Sequence, residues 1–262
     1  MSLGSFEKHV ATWTTTKRTE RAKKCVEDLT YSIQGVIELH AANKIIQYSD
    51  QLSGQLPESL AANAFNTFQN AMYSQEIIRL LALWDSADEN AISIPTVVTL
   101  IDNDRVIEAL RSATFDAHAQ RDVRMLNPSD DPDIQKIVDE MIVEHQNEFA
   151  GRQAELAART LKACIDEVGV IQARAKTTSI RNLRNHLAHS VSKTRREEKN
   201  TVPYSKFGYE RELLELTVRL VEDLYCWVNG TSFDISGDCV EHAVKCADEL
   251  WLNCRFDLER PS

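Results

Sequence analysis

Glycine and proline are scarce in this chain, eight and six in 262 residues. So few breakers exclude a loop-rich all-β or disordered protein and leave room for long helices. Long apolar runs are missing too. The longest, Ile77-Ile78 and Leu80 to Trp84 around Arg79, falls far short of the roughly 20 residues that cross a bilayer, so no membrane partner is expected. The opening residues MSLGSFEKHV lack the basic start, apolar centre and small-residue cleavage site of a secretory leader. No CxxC pair occurs among Cys25, Cys164, Cys226, Cys239, Cys246 and Cys254, which predicts free thiols in a reducing, cytoplasmic setting. No phosphate-cradling glycine loop, nucleophile elbow, internal repeat or strand-like alternation is present, and no histidine has Glu three positions earlier, as a di-iron bundle needs.

What is present is helical periodicity. Arg18 to Ser49 reads as one helix, with Val26, Leu29, Ile33, Val36, Ile37, His40 and Ile45 at helical spacing, broken by SGQLPES. A second runs from Glu58 to Trp84, with Leu60, Ala64, Phe68, Met72 and Ile78 expected inside. Ser93 is set to cap a short helix through Leu100, and another covers Asp104 to Ala113. Weak periodicity over about 114–133 predicts a loop or inserted excursion. Asp131-Pro132 opens a helix to Val168 that repeats Ile134, Ile137, Met141, His145 and Phe149, with a break at Gly169. A helix over Ile171 to Val191, a charged loop over 192–207 and helices over Tyr209 to Val228 and Ser236 to Asn253 complete the chain. Trp84 and Trp227 fall in core patterns. The expected architecture is a single all-α domain over 1–262, an antiparallel helical bundle with one excursion and C-terminal helices.

The charge is uneven. The chain carries −10, yet nine Lys and Arg face only Glu197 and Glu198 between Gln172 and Lys206, a local +7 that leaves −17 elsewhere. A basic island on an acidic body favours a local polyanion site. Within it, Arg184-Asn185-His186-Leu187-Ala188-His189 combines a group that clamps phosphate through two hydrogen bonds with one that exchanges protons near neutrality. At 100° per residue, Ile180, Leu183, Leu187 and Val191 form an apolar stripe about 80° wide, while Arg181, Arg184, Asn185, Ala188 and His189 share a polar face. His186 falls outside that cluster. Arg184 and His189 diverge by about 140° on an ideal helix, which suits a site shared between two chains. A solvated helix face remains the alternative on geometry alone.

The string LRNHLAHS resembles the signature of the HEPN superfamily (higher eukaryotes and prokaryotes nucleotide-binding): Arg, commonly followed by Asn, then His after four to six residues. The flanking RLLALWDSADENAISIPTVVTLI and YSKFGYERELLELTVRL look like the AbiU branch of abortive-infection proteins, so the similarity extends over roughly Tyr31 to Leu224. The resemblance implies a homodimeric helical bundle with two facing motifs. It also implies a metal-independent endoribonuclease of defence or toxin type acting on single-stranded RNA, with an antitoxin as a further partner. Arg184, His189 and Asn185 would be catalytic, and Arg181, Lys193, Arg195 and Arg196 would hold RNA. No cofactor or metal is called for. The alternatives are a catalytically silent HEPN module binding nucleotide or RNA, and a partner-scaffolding helical dimer. Arg181 and His186 offer an overlapping reading of the motif, disfavoured because His186 leaves the polar face. Cys239, His242 and Cys246 have a zinc-compatible spacing, but small side chains packing a helix explain it better.

Overall fold

A computed structural model describes residues 5–56, 60–120, 131–173 and 209–257. The chain is all-α, with no strand among the described residues. The helices are α1 (Ser5–Val10), α2 (Thr15–Tyr48), α3 (Asp50–Gln55), α4 (Leu60–Ala82), α5 (Ile94–Ile101), α6 (Asp104–Ala119), α7 (Pro132–Ala173), α8 (Tyr209–Asn229) and α9 (Val240–Trp251). A π turn, Ile235–Cys239, leads into α9. No described helix is long and apolar enough to cross a membrane.

Capping chemistry sets most boundaries. Thr14 Oγ1 accepts from the Lys17 amide at the start of α2. Ser49 serves twice: its amide donates to Ile45 O, closing α2, and its Oγ accepts from the Leu52 amide, opening α3, which runs into the SGQLPES stretch expected to be only a break. Ser93 caps α5 as predicted, accepting from the Thr96 amide with Pro95 in the first turn. Asn103 Oδ1 accepts from the Arg105 and Val106 amides and starts α6.

Three boundaries differ from the sequence reading. α6 continues to Ala119, past residue 114 where the excursion was expected to begin, and 121–130 lie outside the described residues; Thr114 Oγ1 donates back to Leu110 O and the His118 ring packs edge-on to Phe149 at 5.4 Å. Gly169 does not interrupt α7. A lone helical glycine costs about 1 kcal/mol, which the buried neighbours Cys164, Val168 and Ile171 outweigh. The last helix starts not at Ser236 but at Val240. Asp234 Oδ1 accepts from the Gly237 amide, and Glu222 Oε1 accepts from the Ile235 amide and the Ser236 hydroxyl, winding these residues into the wider turn.

α4, α5, α6, α8, α9 and the π turn all pack on α2. Leu29, Ile33 and Val36 of α2 meet Leu80 of α4, Trp84 just beyond its end and Leu220, Val221 and Leu224 of α8 in one apolar core. Trp84 is fully buried and its Nε1 donates to Thr217 Oγ1 at 2.9 Å, which satisfies the indole that burial would otherwise strand. Trp227 is half-buried against the same core. Pairings along their lengths make α6 and α7 antiparallel: Arg111 bonds Glu155, and seven residues later His118 meets Phe149. Arg219 pairs with Glu167 and ties α8 to α7.

Two predicted inner faces are corrected. Leu60 is 87% exposed, and Ala64 and Phe68 are also exposed; α4 buries Glu76, Ile77, Leu80 and Leu81 instead, where α2 and α8 cover it. On α7, the buried side chains begin at Ala150, whereas Ile134, Ile137 and Met141 are exposed. Gln146 Nε2 donates to His118 O at the end of α6, so α7 runs on past its neighbour towards Pro132.

Arg18 is the most enclosed cation of the core, 6% exposed. Its Nε donates to Leu100 O and its Nη2 to Thr99 O and Asp102 O, so one guanidinium satisfies the carbonyls at the end of α5. Burial pushes its pKa down, and Asp102 partly opposes that. Arg18→Met should lower the unfolding free energy by about 2–4 kcal/mol, because three carbonyls lose their donor; urea unfolding monitored by circular dichroism measures this. The thiols give a second check. Burial pushes Cys164 up to about 12, with Asp223 and Glu167 adding to the shift, and burial also raises Cys25. Cys246 is exposed. Iodoacetamide at pH 7.5 should label Cys246 in the native protein well before Cys25 or Cys164, as read by peptide mass mapping.

Candidate functional site

The residues expected to carry catalysis, Arg184, Asn185 and His189, and those expected to hold RNA, Arg181, Lys193, Arg195 and Arg196, lie outside the described residues. So do His186 and the charged loop. The described residues assemble a different polar site, at the meeting of α2, α4, α8 and α9.

It starts from Glu76, a carboxylate 1% exposed on the inner face of α4. A carboxylate so placed is costly unless donors surround it. α2 supplies them one turn apart: His40 Nδ1 lies 2.7 Å from Glu76 Oε1, and Asn43 Nδ2 donates to Glu76 Oε2 at 2.6 Å. The same Nδ2 donates to Met72 O at 3.2 Å, so both amide hydrogens are committed and the orientation of Asn43 is fixed. Asn43 is 4% exposed, and its Oδ1 has no donor. One turn along α4, Tyr73 donates its hydroxyl to Glu210 Oε2 at 3.3 Å, and Glu210, in the first turn of α8, is buried.

These groups line a cavity of about 430 Å³. Ile37 and Ala41 of α2 and Val240 and Val244 of α9 give it an apolar wall, while Lys44 and Arg211 stand exposed where it opens. Arg211 Nε is held by Glu215 Oε1 at 2.8 Å, and that pairing raises its pKa. A broader groove of about 1170 Å³ lies between α1, the residues after α4, α5 and the end of α7. Glu7, Asp88, Glu89 and Asp102 line it, and the Arg18 guanidinium there is committed to α5. Among the described residues, acidic side chains outnumber Lys and Arg in both linings.

The zinc-compatible trio does not converge. Cys239 is half-buried, with Gln34 Nε2 donating to its Sγ at 3.5 Å, whereas His242 and Cys246 meet each other at 3.5 Å on the exposed side of α9. Among the described residues no three His, Cys, Asp or Glu side chains are grouped to hold a metal.

Periodicity placed His40 among the apolar residues of α2 but passed over Asn43 and Glu76. The signal was present: Leu29, Ile33, Val36, His40 and Asn43 continue one 4-3 stripe into two polar residues, and Glu76 shares the face of Leu80 four residues on. Polar residues on an otherwise apolar stripe must find partners inside.

With an all-helical fold and an Arg-Asn-x3-His string, the chain is of the kind the HEPN resemblance describes. It belongs to the HEPN AbiU2 family, whose model, described as AbiU2, matches residues 23–237. Searches of curated proteins and of solved structures gave no significant match.

The Glu76 clamp yields a stability prediction. Glu76→Ala should cost about 2–4 kcal/mol by urea unfolding, because it strands the Asn43 amide and one imidazole nitrogen and leaves a cavity. A double-mutant cycle with Asn43→Ala should give a coupling of about 1–3 kcal/mol, since the two side chains share one hydrogen bond.

Proposed function

We propose that this chain is a metal-independent endoribonuclease of the abortive-infection or toxin type, acting on single-stranded RNA as a cytoplasmic homodimer. The observation that carries this is the Arg184-Asn185-x3-His189 string within the span matched by the HEPN AbiU2 family. The wider reading is a single antiparallel helical bundle over 1–262 whose two motif copies face each other, with an antitoxin as a regulatory partner. The 140° divergence of Arg184 and His189 supports the facing arrangement, because two chains can bring together what one ideal helix separates.

The chemistry needs an acid/base and a cation, which this string supplies. His189 accepts the proton of a ribose 2′-hydroxyl; the 2′-oxygen attacks the adjacent phosphorus and the bond to the 5′-oxygen breaks. The departing 5′-oxygen takes up a proton, leaving a 2′,3′-cyclic phosphate and a 5′-hydroxyl. Arg184 stabilises charge on the phosphoryl oxygens, an effect of roughly 3 to 4 kcal/mol when preorganised. Asn185 positions the histidine or the backbone, and Arg181, Lys193, Arg195 and Arg196 hold the RNA strand. Attack by the 2′-hydroxyl makes DNA inert.

Purified protein should cleave single-stranded RNA in the presence of a chelator, with products ending in cyclic phosphate, and should lose activity steeply as salt rises. Arg184→Ala and His189→Ala should each reduce cleavage by a factor of 1000 or more on the order expected for groups acting as a unit, and the double variant should add little. His186→Ala should retain substantial activity. A strict magnesium requirement, equal cleavage of DNA, or four folded variants as active as the parent would remove the motif from catalysis.

A further inference from the structure

We propose that His242, Cys246 and Glu249, on the outer face of α9, bind one zinc ion per chain. This goes beyond the ribonuclease reading and does not depend on it. Two of the three side chains already meet. His242 Nε2 and Cys246 Sγ lie 3.5 Å apart, on residues one helical turn from each other. Around one tetrahedral zinc, a nitrogen at roughly 2.0–2.1 Å and a sulfur at roughly 2.3 Å are themselves about 3.6 Å apart. The pair therefore stands at the separation that a shared ion requires, and the helix need not move to accept it.

The same helix supplies a third ligand. At 100° per residue, His242, Cys246 and Glu249 fall within an arc about 60° wide. Helical side chains lean towards the N-terminus, so Glu249, three residues past Cys246, reaches back to the thiol by side-chain rotation alone. That rotation is what binding adds, since among the described residues no three such groups are gathered as the side chains stand. All three residues are exposed, whereas Ala243 and Ala247 are buried on the side of α9 turned to the core. Water completes the coordination, as in zinc sites with three protein ligands.

The donor set selects the metal. A thiolate and an imidazole suit zinc, while magnesium and calcium take oxygen ligands. The thiol gives up its proton as it coordinates. Charge agrees, because Lys245, the cation beside this face, is held by Glu241 at 2.5 Å and Glu249 brings a carboxylate.

Titration of the reduced full chain with cobalt(II), a spectroscopic stand-in for zinc, tests the proposal without RNA. Because RNA cleavage plays no part in the readout, its failure and that of the ribonuclease reading are separate results. One equivalent should bind with a sulfur-to-cobalt charge-transfer band, and zinc should displace it where millimolar magnesium does not. Cys246→Ser should abolish the band. His242→Ala should weaken zinc binding by at least the roughly tenfold that even outer-shell changes cost, and Glu249→Gln by about tenfold with the band retained. Cys239→Ser and Cys254→Ser should bind as the parent does. On the unaltered protein, zinc should slow alkylation of Cys246 by iodoacetamide and leave the other thiols unchanged, a readout that holds even where a variant fails to fold. Absence of the band, binding unchanged in any of the three folded ligand variants, or one ion shared between two chains would overturn the proposal.

Discussion

The constraint on which the rest of the structure depends is the enclosure of α2. Its buried positions, from Arg18 through Ile46, spread over about 220° of the helix circumference at 100° per residue. A surface helix spares half its circumference for water, but this one cannot, since α4, α5, α6, α8 and α9 all pack on it. Any polar residue the sequence places on that wide arc must find its partner inside the protein. Arg18 finds the carbonyls ending α5, Thr30 donates to Val26 O, and His40 with Asn43 finds Glu76. The same requirement thus produces a structural tie at one end of the helix and a lined cavity towards the other.

These two outcomes differ in kind. At Arg18 the Nε and Nη2 donors are matched to three carbonyls that would otherwise be stranded, so the contact fixes where α5 ends relative to α2. At Asn43 the matching is incomplete, and one acceptor is left over beside a space large enough for a ligand. Leftover hydrogen-bonding capacity in an interior is costly. It is therefore a sharper pointer to binding than the size of the space alone.

Much of the fold was legible because helical periodicity and caps are local. Ser93, Asn103 and Asp131 mark helix starts through their own side chains, and the stripe through Leu29, Ile33 and Val36 points inward as its spacing dictates. The misreadings arose where packing, which is not local, decided the result. Phe68 and Met141 have the spacing of inner residues but lie where no described helix covers them fully, and Gly169 sits in a helix that its buried neighbours hold straight. The site divided along similar lines. Arg184, Asn185 and His189 were recognisable as a string because their types and order are unusual, though they lie outside the described residues. Asn43 and Glu76 stood out only as polar residues on apolar stripes, and their pairing did not, because no spacing within one helix reveals which residue of another helix will answer it.

α7 has a consequence of a different sort. Its 42 residues extend about 63 Å, but every buried side chain on it lies from Ala150 onwards. Over the second part, unwinding a turn means pulling apolar side chains out of a core shared with α6 and α8; over the first, it means little more than giving up backbone hydrogen bonds that water can replace. A single continuous rod therefore contains two thermodynamic regimes. Its Pro132 end is free to fray and re-form many times for each opening of the other end, so order along this helix is a gradient rather than a property of the whole.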